Sequence, residues 1–225
     1  MPKSRLNMSK LSLNIDYFKE INSCEKAYWL GFICADGCIH KNGGKLTITV
    51  KDREICEKFK ESINSEHKIS DIQIFDKRTN KNYFEYSIQI TNALFVSNLV
   101  NLGITYNKSK ELNFPNIEEQ YYPYFIAGLF DGDGSISFKS NGKVACNLIS
   151  TKEVLNFIQE YLQKMFNITP KTLFQVSKHC SNVFKVYWQN DYDCLTLLNF
   201  IYKGNKNLYL FRKYERYEQY KQNKS

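Results

Sequence analysis

Glycine and proline are scarce in this chain, at 10 and 4 of 225 residues, histidine occurs 3 times, and the 7 cysteines include no Cys-x-x-Cys pair. So little Gly and Pro beside 43% hydrophobic and 15% aromatic residues excludes collagenous, low-complexity and disordered chains, so the polypeptide folds around a core. The cysteines (Cys24, Cys34, Cys38, Cys56, Cys146, Cys180 and Cys194) are odd in number and scattered, and His40, His67 and His179 are isolated. That spacing suits neither a disulfide framework nor structural zinc, so the cysteines read as reduced thiols, several of them in the core. No apolar run approaches the roughly 18 residues of a membrane span. The longest candidate, Ala27 to Ala35, stops at Asp36. The basic opening MPKSRLNMSK has no apolar segment behind it, so no secretory signal is read, and a soluble intracellular protein is expected.

Positive charge is in excess: 31 Lys and Arg against 23 Asp and Glu give +8 and a pI near 9.0. This favours a polyanionic partner if the excess gathers on one face. At about 150 residues per domain, the length allows one large domain or two small ones of about 110.

An internal repeat decides between them. Residues 28–37 read YWLGFICADG and residues 125–134 read FIAGLFDGDG. Aligning Gly31 with Gly128 also aligns Asp36 with Asp133 and Gly37 with Gly134, each pair 97 apart (133 − 36). The segments behind the two motifs repeat in kind. The first motif leads into CIH, a strand Lys45 to Lys51, a helix from Asp52 to about Asn64, strands Ile69 to Phe75 and Tyr83 to Thr91, and an apolar helix from about Ala93 to Leu102. The second leads into strands Ser135 to Lys139 and Lys143 to Ser150, and a helix opened by Ser150 with Glu153 in capping-box spacing. Strands Thr172 to Lys178 and Val183 to Gln189 and a helix from about Cys194 to Tyr202 complete it. The fold class is therefore α+β, two tandem αββαββα halves spanning 1–106 and 121–225, joined by a polar linker at 107–120 and ending in a charged helix over 206–224.

Both motifs suit helices, the first starting near Asn22 with Glu25 three positions on, the second with Pro123 in its first turn. Ala27, Gly31 and Ala35 form a stripe of small residues, as do Gly128 and Gly132. If the stripes face each other, the halves pack about a pseudo-twofold axis and Asp36 and Asp133 leave the helix ends side by side. Two carboxylates there oppose both the helix dipoles and one another, and a divalent cation would relieve both conflicts.

WLGFICADG and IAGLFDGDG resemble the paired motifs of single-chain LAGLIDADG homing endonucleases, and the likeness runs from about Glu25 to Tyr217. Cys34 departs from the pattern where the second copy has Asp131. The resemblance implies a saddle of two curved antiparallel sheets over double-stranded DNA, and a monomer that acts as a pseudo-dimer. It also implies a site-specific double-strand break with short 3′ extensions at a long asymmetric target, made by Mg²⁺-dependent phosphodiester hydrolysis in intron or gene homing. Asp36 and Asp133, with the carbonyls of Ala35 and Gly132, would hold Mg²⁺. Mn²⁺ would substitute, and Ca²⁺ would bind without supporting cleavage. A lysine after the third helix of each half would assist, which places Lys108 and Lys203, with Lys110 and Lys206 as neighbouring choices and Lys51 as another.

The strands alternate as half-exposed sheets do. Leu46, Ile48 and Val50 oppose Lys45, Thr47, Thr49 and Lys51, and Phe84, Tyr86, Ile88 and Ile90 oppose Tyr83, Glu85, Ser87, Gln89 and Thr91. In the second half Ile136 and Phe138 oppose Ser135, Ser137 and Lys139, and Phe184, Val186 and Trp188 oppose Lys185, Tyr187 and Gln189. With the resemblance, the outward rows become the expected DNA contacts, joined by Cys38, His40, Gln73, Lys77, Arg78, Asn147 and Gln175. Two other readings share the scaffold: an RNA-binding maturase acting on intron RNA, and a catalytically silent DNA-binding protein. No membrane partner is expected, and the cytoplasm of a bacterial or phage-infected cell is the expected location.

Overall fold

A computed structural model of the chain describes residues 11–139, 142–177, 182–205 and 207–222. The first half runs α1 (Cys24–Asp36), β1 (Gly37–Ile39), β2 (Lys45–Val50), α2 (Arg53–Ser62), β3 (Ile69–Asp76), β4 (Lys81–Thr91) and α3 (Ala93–Asn101). A single-turn helix α4 (Lys108–Glu111) and a 3-10 turn (Glu119–Tyr121) lie in the linker. The second half repeats the order as α5 (Tyr122–Asp133), β5 (Gly134–Phe138), β6 (Val144–Thr151), α6 (Lys152–Phe166), β7 (Phe174–Gln175), β8 (Val183–Trp188) and α7 (Asp191–Tyr202), with α8 (Phe211–Gln222) after it. Each half carries one antiparallel four-stranded sheet, ordered β1-β2-β4-β3 and β5-β6-β8-β7.

Local chemistry sets the boundaries. Ser23, one residue beyond the expected start, caps α1 by accepting from the Lys26 amide at 3.2 Å. Asn92 accepts from the Leu94 and Phe95 amides at 3.1 and 3.0 Å to open α3, and Asn190 accepts from the Asp193 amide at 2.7 Å to open α7. The cap of α6 is Thr151 and not Ser150: Thr151, the last residue of β6, accepts from the Val154 amide at 3.4 Å. Of the strand expected from Thr172 to Lys178, Phe174 and Gln175 enter the ladder and the Val176 amide donates to the Val183 carbonyl at 3.0 Å, while Lys178 lies outside the described residues. Of the expected C-terminal helix, residues 206, 223 and 224 likewise lie outside them.

The centre of the molecule is the crossing of α1 and α5. Gly31 stands against the backbone of Phe125, where an added Cβ would lie 1.9 Å from its carbonyl oxygen. Gly128 stands in the same relation to Tyr28, also at 1.9 Å. This reciprocity is what a pseudo-twofold axis through the crossing requires, and only glycine admits backbones this close. On either side, Trp29, Phe32, Ile48, Phe59, Ile88 and Phe95 fill one core, and Phe130, Leu148, Ile158, Val186 and Trp188 fill the other, all essentially inaccessible.

Each half is also fastened by chain that leaves the other. Thr151 Oγ1 donates to the Leu112 carbonyl at 2.5 Å and Asn182 Nδ2 donates to the Lys110 carbonyl at 2.8 Å, so the linker is docked on the second sheet. The segment leading into α8 returns to the first half, where Arg212 pairs with Asp52 at 3.0 Å and the Phe211 amide donates to Glu54 at 3.3 Å.

Candidate active site

The crossing delivers Asp36 and Asp133 to the C-terminal ends of α1 and α5, both half-buried. A Cβ on Gly132 would meet the Ala35 Cβ at 2.2 Å and Asp36 Oδ2 at 3.2 Å, so the small residue at position 132 brings the Asp36 carboxylate against the end of the other motif helix. Burial, joined by the Asp133 charge and opposed by the pull of Lys213 and Lys108, pushes Asp36 up to about 6. Asp133 is raised as well, again chiefly by burial. Two carboxylates held above their ordinary range at the negative ends of two helices form a site that gains from a cation.

Two lysine ammonium groups meet part of that demand. Lys108 Nζ donates to the carbonyls of Cys34 at 2.8 Å and Ala35 at 2.5 Å, capping α1. Lys213 Nζ donates to the carbonyls of Phe130, Asp131, Gly132 and Gly134 at 2.7, 2.6, 3.3 and 2.6 Å, capping α5. The expected partner Lys203 is instead an exposed residue at the end of α7 with no place in this arrangement. Lys206 lies outside the described residues, and Lys110 is exposed.

Lys213 reaches α5 because Asp131 fixes the chain ahead of it. The buried Asp131 carboxylate accepts from Tyr202 OH at 2.6 Å, Tyr28 OH at 2.9 Å and the Leu210 amide at 2.7 Å, and Leu210 opens the first turn of α8. Burial pushes Asp131 up to about 6 and pulls Lys213 down to about 8, so both remain charged at pH 7 and compensate each other. Cys34, in the matching place of the first half, carries no carboxylate, and Lys108 reaches its carbonyl from α4 just as Lys213 reaches that of Asp131 from α8. Asp131 was the available signal for Lys213: a carboxylate on a buried helix face must find donors, and some segment must supply them.

The remaining expected residues divide by face. Register places Cys38, Thr47 and Gln89 in one row across the open face of the first sheet, with Lys45 beside Thr91 and Thr49 beside Ser87. His40 Nε2 lies 2.9 Å from Thr47 Oγ1. Ser135, Asn147 and Tyr187 form the matching row of the second sheet, with Ser137 opposite Ala145 and Lys185 opposite Ile149. Lys139 reaches Gln189 at 3.5 Å. Lys51 Nζ lies over the Tyr83 ring at 4.7 Å, and Lys185 Nζ over the Tyr187 ring at 4.8 Å. Lys77 and Arg78 sit in the exposed β3–β4 turn, where Arg78 pairs with Asp76 at 3.4 Å.

Five expectations are corrected. Gln73 pairs with Phe84 and Gln175 with Phe184, so both glutamines share the face of those aromatics and not the open face. Ser87 is buried, accepting from Thr49 Oγ1 at 3.0 Å. Phe84 and Phe138, read as inward, are 52% and 40% exposed. Ile72, Ile74 and Phe174 lie on the open faces opposite Glu85, Tyr83 and Lys185, and short, weakly alternating strands had hidden them.

Two tandem α+β halves, helices crossing through glycines and an aspartate at each helix end define the class as the two-copy LAGLIDADG scaffold. Residues 120–188 match the family model described as the LAGLIDADG-like domain. Among solved structures, the homing endonuclease I-WcaI bound to its DNA recognition sequence matches with a TM-score of 0.61 and 14% identity, covering 90% of each chain. Meganuclease I-SmaMI bound to uncleaveable DNA matches at 0.55 and 14%, covering 87% of this chain and 88% of that one. The N-terminal LAGLIDADG domain of DUF199/WhiA matches at 0.53 and 17%, covering 84% and 87%. A further I-SmaMI structure, bound to uncleaved target in the presence of calcium ions, matches at 0.50 and 14%, covering 87% and 97%. No curated protein matches the sequence. The C-terminal half therefore carries a LAGLIDADG-like domain, and the whole chain has the fold of the single-chain LAGLIDADG homing endonucleases.

Among the described residues, no group of three or more His, Cys, Asp and Glu could cage a metal. A pair of carboxylates that retain unfavourable charge instead suits Mg²⁺, which keeps its waters and takes one or two carboxylates together with substrate phosphates.

Proposed function

We propose that the chain is a site-specific DNA endonuclease that makes a double-strand break with short 3′ extensions at a long asymmetric target, using Mg²⁺ in intron or gene homing. The observation that carries this reading is the retention of both aspartates at the ends of the crossing helices, each group raised by burial and so poised for a cation. A fold kept only for binding has no need of two such groups. Asp36 and Asp133 would hold Mg²⁺, which polarises water and the scissile phosphate when bound. The Ala35 and Gly132 carbonyls, both bonded by lysine in this structure, would add to the carboxylates as further oxygen donors. Lys108 and Lys213 hold the two helix ends in place and supply positive charge beside the phosphates. The open sheet faces carry the polar and basic rows that reach base edges and backbone.

The two halves differ along these rows, as Cys38, Thr47 and Gln89 against Ser135, Asn147 and Tyr187 illustrate, which suits an asymmetric target. Relatives whose descriptions name a nucleic acid name DNA, which favours DNA over intron RNA as the partner. The test is cleavage of the sequence formed by rejoining the gene that this coding region interrupts. Wild-type protein with Mg²⁺ linearises a plasmid carrying it, and Asp36→Asn and Asp133→Asn each abolish linearisation while retaining binding. Cleavage by either variant at the wild-type rate would remove the assignment. Tight binding without cleavage by the wild type would establish the silent DNA-binding reading instead.

A further inference from the structure

The open faces of the two sheets carry opposite chemistry at equivalent positions. Gly37 pairs with Ile48 and Gly134 with Leu148, so Thr49 of β2 corresponds to Ile149 of β6. Across the next strand Thr49 stands opposite Ser87 and Ile149 opposite Lys185, and the edge strands add Ser70 beside Ser87 and Phe174 beside Lys185. Two residues earlier on those inner strands, Glu85 with its neighbour Ile72 corresponds to Val183 with its neighbour Val176, whose amide donates to the Val183 carbonyl at 3.0 Å. At these positions the first half has only Ile72 as an apolar residue. The second half has only Lys185 as a polar one.

The apolar positions of the second half therefore adjoin one another on three neighbouring strands. Phe174 and Val176 are 54% and 48% exposed at the sheet edge, while Ile149 and Val183 line the cavity of about 250 Å³ that holds Asp133. What surrounds the patch says what covers it. It is continuous with the row Ser135, Asn147 and Tyr187, the Phe174 ring lies 5.9 Å from that of Tyr187, and the Lys185 ammonium supplies positive charge within it. In a major groove every base edge presents hydrogen-bonding groups, and thymine alone adds a methyl group. Aliphatic and phenyl side chains make no hydrogen bond, so against other bases they strip water from donors and acceptors that then go unpaired, whereas against thymine they bury a methyl.

We infer that the C-terminal half reads its part of the target through thymine methyl groups, with Ile149, Phe174, Val176 and Val183 as the specificity-determining residues. The N-terminal half, with Thr49, Ser70 and Glu85 at the equivalent positions, reads by hydrogen bonds instead. The preference reaches inward to the phosphate beside Asp133, because Ile149 and Val183 line that cavity. This rests on the DNA-binding part of the reading above and not on cleavage.

The experiment uses the full chain and a duplex recovered by its binding from a random-sequence pool in calcium. Thymines are replaced by uracil, which pairs alike and lacks only the methyl, in one half of the duplex at a time. One buried methyl is worth about 4-fold in binding, so loss of two or three in the sensitive half should weaken binding by about 15- to 60-fold. The same change in the other half should cost less than about 4-fold. Phe174→Ser combined with Val176→Thr, both at exposed positions, should bind the thymine and uracil forms of the sensitive half within about 4-fold of each other. Equal sensitivity of the two halves, insensitivity of both, or discrimination retained by the variant would overturn the inference and leave the endonuclease reading standing. A dimer of the free chain that the same variant dissolves, seen by sedimentation, would assign the patch to a second copy and also overturn it. Thymine-dependent binding without cleavage in Mg²⁺ would support the inference and overturn the endonuclease reading, and failure to enrich any duplex would overturn both.

Discussion

At the scale of single residues, this protein concentrates buried charge at one place and leaves it partly unbalanced. Asp36 and Asp131 are each raised by burial to about 6 and Asp133 is raised with them, so all three take up protons on folding as pH falls from neutrality. Where the folded state binds more protons than the unfolded one, stability falls as pH rises. The metal-free protein should therefore gain thermal stability from pH 7.5 to pH 5, opposite to the usual behaviour of carboxylates held below their ordinary range. Mg²⁺ should stabilise it at pH 7.5 and lose that effect by pH 5, and Asp36→Asn should flatten much of the slope. Thermal unfolding in EDTA and in Mg²⁺ at three pH values measures both. Lys213 is the counterweight. Replacing this 3% exposed residue by Met leaves Asp131 buried without its compensating charge, a loss of about 3 kcal/mol or more, whereas Lys203→Met at an exposed position should stay within about 0.5 kcal/mol. Chemical denaturation of the two variants separates the lysine that acts from the one its position suggested.

At the scale of elements, the repeated motif was legible because it records a steric demand: two helix backbones that touch leave room only for hydrogen at Gly31 and Gly128. Gly128→Ala would place a Cβ 1.9 Å from the Tyr28 carbonyl and 2.8 Å from the Phe32 amide nitrogen, with backbone that cannot yield, so the crossing must open. A loss above about 3 kcal/mol, or failure to fold, is expected by circular dichroism and denaturation, while Gly44→Ala, with nothing within 4 Å, should change stability by less than about 0.5 kcal/mol. The order of helices and strands was equally readable, since β2 alternates cleanly and helices open on Ser23, Asn92 and Asn190. Lys213 was not, because its route to α5 depends on the Leu210 amide meeting Asp131, a contact 79 residues apart in sequence. Nor were the faces of Gln73 and Gln175, because strands as short as Phe174–Gln175 or as weakly alternating as ISDIQIFD do not fix their register alone.

At the scale of the whole molecule, the question is where the +8 resides. Lys45, Lys51, Lys139 and Lys185 lie on or at the rims of the open sheet faces, and Lys81 stands opposite Asp76 at the far end of the first. Other basic side chains are compensated, as where Arg53 of α2 pairs with Glu57 at 2.9 Å and with Asp71 of β3 at 2.8 Å. Exposed pairs of that kind contribute little to stability and nothing to DNA, whereas lysines in no ion pair among the described residues can displace counterions from phosphates. About five such lysines give an expected slope of roughly −4 to −5 for the logarithm of the binding constant against the logarithm of salt concentration. Replacing Lys139 and Lys185 together by Gln should lower the slope by about 2 and weaken binding to specific and unrelated duplexes alike, since phosphate contacts carry no sequence information. Fluorescence titrations between about 50 and 200 mM salt measure the slope directly. A slope near −1 would mean that the open faces do not lie along a duplex, and that the basic excess is only a solvated surface.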